Sequence, residues 1–149
     1  MSKLNGVVDH TTGRKTDYLY RLSLKALIVN ENDKVLVVKE SGRDWWDLPG
    51  GGMDHDETIE QALARELAEE VNLSGKFEYR VINVDEPVYL PNANVWQVRM
   101  IFHVTPEHMS FSEGVDADAV AFMEPADFES SDRDAERRIF RYFKSASVA

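Results

Sequence analysis

The stretch GGMDHDETIEQALARELAEEVNL, from Gly51 to Leu73, crowds Asp54, Asp56, Glu57, Glu60, Glu66, Glu69 and Glu70 into little more than one helix's length. Thr58 is an N-cap residue, and Gln61 three positions later completes a capping box, so a helix is expected from Thr58 to Val71. At ~100° per residue, Glu66, Glu69 and Glu70 fall within about a third of the helix circumference. Ala62 shares that face, while Leu63, Leu67 and Val71 lie on the adjoining side and would anchor the helix to a sheet. Like charges at these spacings oppose helix formation by a few tenths of a kcal/mol per pair, so a partner must offset them. A surface Glu-Glu pair by itself is usually only a solvated face. Here a hard divalent cation suits the oxygen set, with Mg²⁺ or Mn²⁺ the natural choices. Arg65 can reach back to Glu57 or orient Glu66 through its guanidinium fork. The preceding glycine-rich turn can bring a backbone carbonyl to the same cation, because glycine tolerates the dihedrals required.

Outward from this helix the chain reads as one domain over residues 1–149, long enough to bury about two thirds of its unfolded surface. Its 43% hydrophobic and 30% charged content is that of an ordinary globular protein. Upstream, Tyr18–Asn30 and Lys34–Glu40 are apolar, β-branched runs split by a polar turn, which predicts a hairpin. WWDLPGGG then breaks regular structure. Downstream, Phe77–Leu90 and Asn94–Pro106 predict a second strand pair. A short strand is expected at Val120–Met123, and an amphipathic helix over Ser131–Ser145 with Ile139, Phe140 and Phe143 near one face. Strands on both sides of one helix, with a second helix last, give an α/β layered fold with a mixed sheet.

No run is apolar enough to cross a membrane, and the first residues lack a signal-peptide core, so no membrane partner and a cytoplasmic location are expected. The chain has no cysteine, which removes disulfides, thiolate metal sites and a cysteine nucleophile. A net charge of −10 argues against binding duplex nucleic acid, which needs a basic face. It leaves room for a small phosphorylated partner, because cations can bridge an acidic protein to an anionic ligand.

The residues also resemble a known family. Gly51, Glu57 six positions on, and Arg65-Glu66-Leu67-Ala68-Glu69-Glu70-Val71-Asn72-Leu73 are similar to the Nudix box, Gly-x5-Glu-x7-Arg-Glu-U-x-Glu-Glu-x-Gly-U, U being a bulky aliphatic residue. The upstream WDLPGG resembles the usual entry into that box. One position departs, Asn72 standing for a glycine, and asparagine is the next best left-handed helix cap. The resemblance implies the Nudix fold, an α/β/α sandwich with a central mixed β-sheet. It also implies a Mg²⁺-dependent enzyme, Mn²⁺ being an alternative, that cleaves a phosphoanhydride in a nucleoside diphosphate linked to another moiety. Carried over, Glu66, Glu69, Glu70 and the Gly50 carbonyl become expected metal ligands, with one of the carboxylates as candidate base. Arg65 and Glu57 become the pair that orients the helix.

The resemblance further suggests Lys39 and Arg43 near phosphate, where a solvated surface role is the plain alternative. It also suggests an extra acid from the loop Phe111–Ala119: Glu113, Asp116 or Asp118, with Gly114 letting the loop bend. Glu113 is favoured for its reach. Trp45, Trp46, Tyr79, Tyr89 and Trp96 are candidate base-stacking groups, though such aromatics are more often core or rim. His10, His55, His103 and His108 show no ligand spacing. A nucleotide-binding regulator without turnover is the competing reading, and a Nudix-fold isomerase is weakened by the missing cysteine. A homodimer is compatible with all of these.

Overall fold

The computed structural model describes residues 19–147, so Tyr18 and His10 lie outside the described residues. The described elements are, in order, β1 (Tyr20–Leu27), β2 (Val35–Glu40), β3 (Gly50–Gly52), α1 (Ile59–Val71), β4 (Phe77–Val84), β5 (Val88–Leu90), β6 (Val95–Pro106), β7 (Ala117–Met123) and α2 (Asp134–Ser147). One sheet runs β3-β1-β6-β4 with β5 also on β6; β2 and β7 make a separate pair. The β1–β6 contact is parallel, from Tyr20 opposite Trp96 to Leu27 opposite His103. All other pairings are antiparallel.

Alternation along the strands divides the core. Leu24, Ala26 and Ile28 pack with Leu36, Val38 and the α1 residues Ala62, Leu63, Leu67 and Val71. Leu27, Val35, Val37 and Ile101 pack on the opposite side with Ile139 and Tyr142 of α2. Strands buried on both faces read as continuous apolar runs, which is why Val35–Val38 shows no polar position. The result is a mixed-sheet α/β/α sandwich, as expected.

Several local expectations are corrected. β1 and β2 meet only at their turn, where the Leu36 N–H donates to Ile28 O at 2.9 Å, and then part into different sheets. β1 has β3 on one edge and β6 on the other, so no edge is left for a hairpin partner. The glycine segment, expected to be irregular, is strand β3, with Gly50 opposite Lys25 and Gly52 opposite Ser23. The run Phe77–Leu90 splits into β4 and β5 around Pro87, which has no N–H for a ladder bond. β7 starts at Ala117 rather than Val120, and α2 runs from Asp134 to Ser147 rather than from Ser131.

Both ends of α1 form as the local sequence dictates. Thr58 Oγ1 accepts from the Gln61 N–H, and the Gln61 side chain accepts from the Thr58 N–H. Asn72 caps the other end at φ 55°, ψ 34°, in the left-handed region. Its side-chain amide also donates to Ser112 Oγ at 2.9 Å and Glu113 O at 2.8 Å. Asn72→Val is therefore expected to cost roughly 1–2 kcal/mol, with Asn72→Gly, which loses only the side-chain bonds, falling between it and the parent. Thermal unfolding of the three proteins checks this; a valine variant as stable as the parent would refute the cap.

Candidate active site

Arg65 organises the acid face of α1. Its Nε and Nη2 donate to the two Glu57 oxygens at 2.6 and 2.9 Å, and Nη1 donates to Glu66 Oε1 at 2.9 Å. Nη2 also reaches Gly52 O at 3.1 Å, tying the helix to β3. Glu69 stands 3.5 Å away and Asp54 3.6 Å. The two-pronged contact thus goes to Glu57 and a single prong to Glu66. Hydrogen bonds from Arg65 hold the Glu57 carboxyl down at about 2.

Gly50, Gly51, Glu66, Glu69 and Glu70 line one cavity of about 330 Å³, together with Glu40, Ser41 and Asp116. The sequence-expected ligands are therefore brought together. Glu70 is only 3% exposed, and its Oε2 accepts from the Gly50 N–H at 2.8 Å. Burial pushes the Glu70 carboxyl well above the usual carboxylate range, with Lys25 pulling the other way. Burial also raises Glu66, against the opposing pull of Arg65. Glycine is required beside them. Gly50 sits at φ 137°, and a Cβ there would lie 1.9 Å from Leu24 O. A Cβ on Gly51 would lie 2.7 Å from Glu66 Oε1.

The all-oxygen donor set suits a hard divalent cation, and Glu66 and Glu70 are raised by burial despite Arg65 and Lys25 beside them. As they stand, no three acidic or histidine side chains among the described residues converge closely enough to hold an ion. Arg65 holds Glu66, and the Gly50 carbonyl accepts from Lys25 Nζ at 3.4 Å. Binding an ion would exchange these contacts for the ion.

Sequence reasoning missed Lys25. It is 7% exposed in β1, pairs with Asp47 at 3.3 Å and donates to Leu48 O at 3.3 Å, clamping the turn that enters β3. Burial lowers its pKa, but Asp47, Glu70 and Glu40 outweigh burial and leave it raised. The available signal was a lone lysine inside the apolar run LSLKALIV, since an interior lysine needs partners.

Of the loop acids offered as the extra acid, the structure sets Asp116, not the favoured Glu113, on the cavity. Ser112, Gly114 and Asp116 donate backbone N–H groups to Val71 O, Glu70 O and Glu69 O at 3.3, 3.0 and 3.0 Å. The loop thereby satisfies carbonyls that a helix end leaves open. This zipper sets Asp116 on the cavity wall, whereas Glu113 is exposed and does not line it. Asp118, in β7, accepts from the Gly42 N–H at 2.9 Å. Backbone pairing, not side-chain reach, decides which loop acid faces the cavity. Gly114 serves close approach rather than bending, because a Cβ there would lie 2.1 Å from Glu69 O. Gly114→Ala should push the loop off α1, lowering stability by roughly 1–3 kcal/mol and turnover at least tenfold. Unchanged melting and turnover would show that the loop is not fixed by this contact.

A second cavity, of about 600 Å³, continues around the glycine strand and shares Glu40 and Gly51 with the first. Arg21, Ser23 and Lys25 of β1 and Gln97 and Arg99 of β6 form its floor, with Arg43 and Arg138 on its walls. Arg43 is thus on the cleft, paired with Glu40 at 2.5 Å. Lys39 is not among the lining residues; its Nζ lies 4.9 Å from the Trp46 ring centre. The candidate aromatics also lie elsewhere. Trp45 packs under the guanidinium groups of Arg43 and Arg133, Tyr79 against Phe102, and Tyr89 against Trp96. His55 is exposed, and His108 Nε2 lies 2.9 Å from Ser74 O.

The family model of the NUDIX domain matches residues 19–143. A protein of Legionella pneumophila (strain Corby) named RNA pyrophosphohydrolase is 46% identical over 54 residues, 36% of this chain and 31% of that protein. The matched stretch spans about a third of that relative's length. Among solved structures, the NUDIX domain of Shewanella oneidensis NrtR complexed with ADP ribose superposes with a TM-score of 0.69 at 20% identity, covering 94% of this chain and 92% of that one. The MutT protein from Methanosarcina mazei Go1 superposes with a TM-score of 0.67 at 20% identity, covering 87% and 96%. At such identities the likeness is one of fold.

Proposed function

The chain belongs to the Nudix family, and from that premise we propose that it is a pyrophosphohydrolase. It would cleave a phosphoanhydride in a nucleoside diphosphate linked to another moiety, with Mg²⁺ or Mn²⁺ bound by Glu66, Glu69, Glu70 and the Gly50 carbonyl. One observation carries this reading: the carboxylate cavity on α1 adjoins, across Glu40 and Gly51, a cleft lined by cationic side chains. An anhydride held across that junction has its phosphates among arginines and its scissile bond beside the carboxylates. The cation supplies charge neutralisation and a more acidic bound water.

The protein's own groups do the remainder. Arg65, locked to Glu57, fixes the rotamer of Glu66 and couples α1 to β3. Asp116, held to the last turn of α1 by its backbone, stands as an additional acid for a proton or a ligand position. Arg43 lines the cleft and is paired to Glu40 until an anion competes for it. No helix among the described residues is long and apolar enough to cross a membrane, and we place the activity in the cytoplasm.

The test is a panel: nucleoside triphosphates, nucleotide sugars, ADP-ribose, dinucleoside polyphosphates and RNA bearing a 5′-triphosphate, each incubated with Mg²⁺. Release of phosphate, pyrophosphate or a nucleotide from at least one is expected. Tight binding of a member with no release from any would favour the non-catalytic regulator instead.

A further inference from the structure

Most cations of the cleft already have anionic partners. Arg43 pairs with Glu40, Lys25 with Asp47, and Arg99 with Asp85 at 3.4 Å. Arg138 differs. Among the described residues it makes no hydrogen bond or ion pair, yet its side chain is partly buried. It lies between the cleft and a neighbouring hollow of about 620 Å³ that also includes Arg137 and Arg141. Burial lowers its pKa, and the adjacent Arg99 lowers it further, against the weaker pull of Asp47, Tyr142 and Asp134. Arg21, exposed on β1, lines the same cleft and is likewise without a partner among the described residues.

An arginine at an open surface is simply solvated, and that reading covers Arg21 alone. A desolvated guanidinium without a partner is costly, so that reading covers Arg138 poorly. Clustering arginines here also runs against a chain charge of −10. The lining holds no aromatic side chain, so the cleft is made to hold charge rather than to stack a base. A guanidinium fork matches phosphate oxygens.

We propose that Arg138, together with Arg21, binds a second anionic group, a phosphate beyond the scissile linkage. The substrate class is then compounds with an extended phosphate chain or a phosphorylated second moiety, not those ending in a neutral sugar. The substrate half of this statement rests on the hydrolase reading; the anion site does not.

Inorganic tripolyphosphate, titrated calorimetrically into the full chain without divalent cations, probes the site directly. The parent protein should bind it, Arg138→Gln should weaken binding at least tenfold, and Arg138→Lys should retain part of it. Glu69→Gln should not weaken binding, and thermal unfolding should show all variants folded. No binding by the parent, or equal binding by the parent and Arg138→Gln, would overturn the proposal. With Mg²⁺ present, the parent should favour a dinucleoside pentaphosphate over the triphosphate at least tenfold in kcat/KM, and Arg138→Gln should erase that preference. A preference that survives the substitution would overturn the substrate assignment. No hydrolysis of any nucleotide would refute the hydrolase reading, and tripolyphosphate binding would still decide the anion site.

Discussion

Exhaustive chelation is expected to stop product release from the best substrate of the panel, and added Mg²⁺ or Mn²⁺ to restore it. The reasoning is electrostatic. Glu40, Glu66, Glu69, Glu70 and Asp116 surround one small cavity. Lys25, Arg65 and Arg43 are the protein cations placed against them, and each is already engaged, with Asp47, Glu57 and Glu40. A phosphoanhydride brought to that cavity would meet carboxylates at short range, where each like-charge contact is unfavourable. A bound divalent cation would remove that barrier and would make water a competent nucleophile. Turnover that persists undiminished in chelator would overturn the cation reading, whatever the substrate.

Glu70→Gln is expected to lower turnover at least a hundredfold while leaving the metal-free fold as stable or more so. The amide keeps an oxygen to accept the Gly50 N–H, so the tie between α1 and β3 survives. On the proposed reading it also removes a charge from the metal's ligand set, which accounts for the expected catalytic loss. The stability effect follows from linkage. A carboxyl whose folded-state pKa is raised takes up a proton on folding, so it destabilises the fold increasingly as pH rises above the ordinary carboxylate range. The amide carries no such dependence. Melting in chelator should therefore favour the variant at neutral pH and converge with the parent near pH 4. Near-normal turnover would move the metal site elsewhere, and a variant that melts far lower would show that Glu70 is a structural anion paired to Lys25.

The acid helix was legible because its determinants are local. Spacing at three and four residues puts Glu66, Glu69 and Glu70 on one face, Thr58 and Gln61 close its start, and Asn72 closes its end. The Arg65–Glu57 contact was legible as well, bridging only eight positions. Which loop acid would face the cavity was less legible, because side-chain length, which favours Glu113, can be read from a sequence, while the backbone register against Glu69 and Glu70 that sets Asp116 there cannot. The hairpin reading failed for a related reason. A turn between two apolar runs is a local signal, but whether the runs pair depends on competing edges, and β3 and β6 occupy both edges of β1.

The acid face, its caps and the layered α/β class follow from periodicity and capping along continuous segments. The cleft exists only once the chain has folded. Its floor joins Ser23 to Arg99 across the parallel β1–β6 register, and its wall takes Arg138 from the last helix. Lys25 became a buried clamp only because Asp47 and the Leu48 carbonyl fold back onto β1. Charges this far apart in the chain acquire partners, or lack them, only after the sheet has chosen its neighbours. Pairing of strands across long loops is settled by the sum of burial over the whole core, which no single segment encodes.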